Sequence, residues 1–159
     1  MKVLPLVPVF AIVVLGSVVS TANPATPAPE VRPAMFDPQD WMELKNLLTP
    51  FFDALGTKSG AEALADIKEK FPVDASSGAL LAVKIDDLLK TFGPYDSYEL
   101  IGVRSLPRGR RLYQLGYATY NRVSPALWEA TVYRRKEGWF ILSLSFNTEG
   151  ILDRAREYK

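Results

Sequence analysis

Six cations stand in two short blocks, Arg108, Arg110 and Arg111 in one and Arg134, Arg135 and Lys136 in the other. A guanidinium presents a planar fork of donors that meets carboxylate or phosphate oxygens two at a time, so clustered arginines suit an anionic partner. Each block adjoins turn residues, Pro107 and Gly109 in the first case and Glu137-Gly138 in the second. Charges at hairpin ends also discourage edge pairing, which is the plainer account of the same residues. A second chemistry would need a carboxylate facing a tyrosine. Asp96 and Glu99 lie near Tyr98, and Tyr113 and Tyr117 follow; such a pair moves protons in isomerase- or lyase-type reactions. Nothing in their spacing forces them together, and Asp96 beside Gly93-Pro94 also reads as turn chemistry.

The remaining catalytic inventory is negative. The chain has no histidine and no cysteine, which removes Ser-His-Asp and Cys-His nucleophile systems, His-ligated zinc and thiol chemistry. No Asp-x-Asp-x-Asp-Gly loop and no glycine-rich phosphate cradle occur, so no cofactor is expected, and only a carboxylate-held magnesium or calcium ion stays open. Asp86 and Asp87 resemble a carboxylate pair, but consecutive helical positions diverge by about 100°. They read as solvated surface, as do Glu62, Asp66, Glu69 and Lys70.

The length, 159 residues, fits one domain. The near-neutral net charge hides a split: residues 23–92 carry 7 Lys/Arg against 11 Asp/Glu, and residues 93–159 carry 11 against 7. That asymmetry, with the two arginine blocks in the basic half, points to an anionic envelope component, lipid head groups or an acidic protein surface. Balanced total charge and the lack of aromatic-basic interleaving argue against nucleic acid. At the start, Lys2 precedes an apolar run from Val3 to Val19 and then Ser20-Thr21-Ala22. This is the pattern of a secretory signal, residues 1–22, with cleavage after Ala22. The run is shorter than the ~20 residues that cross a bilayer, and Pro5, Pro8 and Gly16 interrupt it. Export to the periplasm or medium, with no stable transmembrane span after cleavage, is the expectation; an uncleaved anchor is the alternative. Residues 23–38 hold Pro24, Pro27, Pro29, Pro33 and Pro38 and form a semi-rigid tether. The domain is expected over 39–159, held by its core without disulfides.

The elements that position these residues follow from periodicity. Asp37 caps and Pro38 opens a first helix whose stripe is Trp41, Leu44, Leu47, Leu48, Phe51, Phe52 and Leu55, with a kink or Thr49-capped restart at Pro50. A short second helix runs from Ser59 to a stop at Pro72. A third begins near Gly78, capped by Ser76 or Ser77, and ends at Gly93-Pro94. The period then changes to two, giving strands at about Tyr98–Leu106, Arg111–Asn121, Ala126–Lys136 and Trp139–Phe146. A closing helical turn is expected from about Gly150 to Tyr158. In a four-strand meander the first and third hairpins share one end, which gathers the six cations within about 15–20 Å.

Helices ahead of an antiparallel meander, with Tyr98-Glu99-Leu100-Ile101-Gly102, Tyr133-Arg134-Arg135-Lys136-Glu137-Gly138-Trp139 and Phe146 as the matching segments, resemble the cystatin-like or NTF2-like α+β class, in particular small exported bacterial domains of unassigned role. The resemblance covers roughly residues 39–148. It implies three N-terminal helices packed on a curled four-stranded sheet, a cone that often encloses a small apolar pocket. Members include isomerases, hydratase-like enzymes, binding proteins and structural modules, so the fold leaves the chemistry open. The reading favoured by the residues is an exported, non-enzymatic module that binds a ligand or protein partner in the envelope. The alternatives are an isomerase or lyase with a carboxylate-tyrosine pocket, and a packed scaffold that self-associates through an edge strand.

Overall fold

The structure, a computed structural model, describes residues 36–106 and 111–158. The expected signal segment 1–22, the tether up to residue 35 and the first hairpin's tip with Arg108 and Arg110 lie outside the described residues. The fold is α+β: helices first, then a four-stranded antiparallel sheet in the order β1-β2-β3-β4, left open at both edges.

Helix α1 (Pro38–Lys45) is capped by Asp37, whose carboxylate accepts the Asp40 N–H at 2.8 Å. The apolar stripe then breaks. Helix α2 (Thr49–Leu55) restarts with Pro50 in its first turn, and its cap is Leu48, which makes no side-chain capping bond. Thr49 is not the cap that the sequence suggests. It is the first helical residue, and its hydroxyl accepts from Tyr98 OH at 3.0 Å. Helix α3 (Gly60–Ala65) carries a full capping box between Ser59 and Glu62, satisfying two free donors reciprocally. Helix α4 (Ala75–Phe92) starts three residues before the expected Gly78. Asp74, not Ser76 or Ser77, is its cap, and both serines donate to that carboxylate. A carboxylate outcompetes a hydroxyl here because it meets the positive helix end with charge as well as lone pairs. Asp86 is likewise more than solvated surface. It accepts the Gly60 N–H at 2.7 Å in a partly buried site, tying α4 to the start of α3.

The strands are β1 (Tyr95–Ser105), β2 (Leu112–Asn121), β3 (Ala126–Arg135) and β4 (Gly138–Asn147). β1 begins three residues earlier than alternation alone suggests, because Tyr95 already pairs with Asn121. One face of the sheet packs on the helices. Leu115, Tyr117, Trp128, Ala130, Val132, Ile141 and Leu144 meet Leu44, Leu48, Phe51, Phe52 and Ile85 in one continuous core. The core is aromatic at its centre: Phe51 and Phe52 meet the Trp128 ring edge-on at 5.3 and 5.9 Å. Trp128 Nε1 donates to Thr119 Oγ1 at 3.0 Å, so the buried indole is satisfied.

The opposite face is covered in part by the C-terminal segment, helix α5 (Ile151–Ala155) and the 3-10 turn Arg156–Tyr158. Tyr158 is buried there over Gly102 and Gly116. A methyl group at Gly102 would lie 2.3 Å from the Tyr158 carbonyl oxygen, and one at Gly116 would lie 2.7 Å from its ring. Glycine at these two strand positions is therefore the condition for the tail to dock. Glu129 receives Tyr158 OH at 2.9 Å and Arg154 Nη1 at 3.1 Å.

Candidate anion-binding surface at the hairpin end

Antiparallel order brings the chain back to the same pole twice. Arg134 N donates to Arg111 O at 2.9 Å, so the strand ends that carry the two arginine blocks are neighbours. Their side chains divide into two kinds. Arg134 is engaged inside the domain: its guanidinium pairs with Asp40 at 2.7 Å and Glu43 at 3.0 Å and lies 5.6 Å from the Trp139 ring centroid. Its fork ties β3 to α1, which neutralises it as a binding group. Loss of water raises Asp40's carboxyl above its ordinary value even beside this arginine, with Asp37 and Glu43 adding repulsion.

Arg135 faces the other way. Its guanidinium stacks 4.8 Å from both the Tyr133 and the Phe140 ring centroids, and those rings lie 5.9 Å apart. No carboxylate pairs with it among the described residues. Stacking fixes the plane of the fork and leaves its N–H edges free for an anion. Arg111 and Lys136 are exposed nearby and also lack an ion pair among the described residues. Of the six residues singled out by sequence, Arg111, Arg135 and Lys136 are exposed at one end of the sheet, Arg135 on the face opposite Arg134, while Arg134 turns inward and Arg108 and Arg110 lie outside the described residues.

Lys70 is the member that sequence reasoning missed. It reads as one more charge on the outer face of a helix, whereas the chain past α3 lies against the start of β4. Ile141 N donates to Lys70 O at 2.7 Å, and Lys70 Nζ sits 5.1 Å from the Phe140 centroid. It also lines a cleft of about 400 Å³ with Glu43, Asn46, Leu47, Gly138 and Trp139. The indole N–H of Trp139 is buried and has no acceptor among the described residues.

The carboxylate-tyrosine alternative finds no such assembly. Tyr98 and Tyr117 point into the core, packed on Phe52 at 4.6 and 5.0 Å, and Tyr113 packs on Phe36 and Trp139. Burial pushes the Tyr117 phenol well above its usual range. Glu99 lies on the opposite face of the same strand and receives the exposed Tyr120 hydroxyl, while Asp96 is exposed and receives Ser97. The strand period of two separates Glu99 from Tyr98, and Asp96 falls at the bulge between Tyr95 and Ser97. No group of three or more carboxylates able to hold a metal occurs among the described residues, and no described helix is long and apolar enough to cross a membrane.

No family model, no curated protein and no solved structure matches this chain, so the reading of its surface rests on the residues themselves.

Proposed function

We propose that this is an exported, non-enzymatic module that binds an acidic partner, an anionic envelope polymer, lipid head group or acidic protein face, through Lys70, Arg111, Arg135 and Lys136. Arg108 and Arg110, which the sequence groups with them, lie outside the described residues. The observation that carries the reading is Arg135, a guanidinium oriented by Tyr133 and Phe140 and paired with no carboxylate among the described residues. Export rests on the N-terminal sequence pattern, and the cystatin-like or NTF2-like resemblance fits a binding scaffold as readily as an enzyme. The helix-facing side of the sheet is occupied by Phe, Trp and Leu side chains, which favours surface binding over a pocket reaction.

The test replaces Arg111 and Lys136 with serine and Arg135 with glutamine and measures binding to an acidic polysaccharide and to anionic vesicles. Binding by the parent protein should weaken by about tenfold or more as salt rises from about 0.05 to 0.5 M. The triple variant should retain little affinity at low salt. Binding that is insensitive to salt and equal in parent and variant overturns the reading.

A further inference from the structure

The two edges of the sheet are built differently. β1 carries Asp96, Glu99 and Arg104, is interrupted by two bulges, and is overlain at Gly102 by the Tyr158 backbone. Charge, bulging and cover are the devices by which edges avoid pairing with other chains. β4 carries no charged residue from Gly138 to Asn147 and has a single bulge, at Leu142. Among the described residues its one main-chain bond to a segment outside the sheet is the bond from Ile141 to Lys70. The stretch Ser143–Asn147 has no such bond.

Helix α4 runs beside this bare stretch. Two contiguous grooves of about 470 and 480 Å³ lie between helix and strand, sharing Leu81, Lys84 and Leu144. Large apolar side chains stand open along them: Leu80 is 60% exposed and Leu142 54%. Val73 lines the same groove, and Val83 lies three residues beyond Leu80 on the same helix, exposed as well. Such a concentration on one side marks an interaction surface.

We propose that this edge joins two copies of the chain. β4 pairs antiparallel with β4 of a second copy over Ser143–Asn147, making one continuous eight-stranded sheet, and the apolar lips along α4 close over each other. Charge selects the occupant. The two grooves carry one cation, Lys84, with Asp87 one turn along α4 and Asp74 at the other end. A two-fold copy presents the same charges in reversed order, so Lys84 approaches a carboxylate of the other copy, whereas a strongly acidic peptide meets two like charges and a strongly basic one meets Lys84. The incoming strand must also be uncharged, bare at its edge and alternating, with apolar residues toward the helix and small ones outward. β4 meets all three conditions, with Leu144 facing the core and Ser143 and Ser145 exposed. A self-complementary patch on one surface is what a two-fold interface requires. This inference is independent of the anion surface at the hairpin end.

Sedimentation velocity on the protein recovered from cells expressing the full chain, over a concentration series, tests it. The expected result is a dimer that dissociates on dilution, with amide exchange of residues 143–147 slowing as concentration rises. Ser145→Lys sets like charges opposite each other across the new pairing, and Leu80→Glu puts a charge into the apolar lip. Each should weaken the dimer by about tenfold or more with an unchanged circular dichroism spectrum, since both positions are exposed. The triple hairpin-end variant should dimerise like the parent. A single-chain mass up to about 0.5 mM overturns the proposal, as does a dimer that survives both substitutions.

Discussion

Single atoms decide two features of this fold. Tyr158 docks only where the sheet lacks side chains, so Gly116→Ala drives a methyl group into its ring. The expected cost is about 1–3 kcal/mol, the range for overpacking a filled site. It should be read as a lowered denaturation midpoint with faster exchange in residues 151–158. Isolated glycines inside strand patterns are a legible sign of close approach by another group, yet nothing in the sequence says which group arrives. Thr119 is the second case. Thr119→Val keeps the shape and strips the acceptor from Trp128 Nε1, which is fully buried. An orphaned indole donor should cost about 1–3 kcal/mol, and an unchanged midpoint in urea would show that the bond contributes nothing. Arg134 and Arg135 are adjacent and chemically identical in the sequence. Strand alternation sends one to Asp40 and Glu43 and the other to Tyr133 and Phe140, and only the partners' positions reveal it.

At the scale of elements, helix starts carry a pH dependence. Asp37, Glu62 and Asp74 are all held below their ordinary carboxyl values: Asp37 chiefly by the Asp40 N–H, Glu62 by the Ser59 hydroxyl, and Asp74 by the Ser76 hydroxyl. The folded protein therefore binds fewer protons here than the unfolded chain. The stability these caps contribute is present at neutral pH and is lost as pH falls below the ordinary values of 3.8 for the aspartates and 4.5 for the glutamate. Melting temperature should decline from about pH 5 downward. Asp74→Asn, which caps without titrating, should flatten that decline, and an unaltered slope would contradict the assignment. Much of this layer is readable from sequence. The stripes from Trp41 to Leu55 and from Leu81 to Phe92, the helix start at Ser59 and the shift to period two at the sheet all follow from local rules, whereas Glu62, which reads as solvated surface, closes a capping box with Ser59. Boundaries are less legible because neighbouring caps compete. Asp74 prevails over Ser76 and Ser77, and the first stripe breaks at Leu48 to admit Pro50, a contest settled by packing.

For the molecule as a whole, the sequence supplies the convergence of the two hairpins, since topology alone brings Arg111 beside Arg134. It does not supply the bare edge of β4, which exists only because α4 lies alongside without covering it. Trp41, Trp128 and Trp139 are all buried in one core and spread from α1 through β3 to the start of β4. Unfolding followed by tryptophan fluorescence and by circular dichroism should therefore give one coincident transition, and separated midpoints would show that helices and sheet melt independently. Phe36, the first residue described, is buried against Trp41, Tyr113 and Trp139. Those rings lie at the pole where Arg111, Arg135 and Lys136 stand. The polypeptide therefore joins the domain on its cationic side, and tension on the backbone before Phe36 is first received by that aromatic cluster.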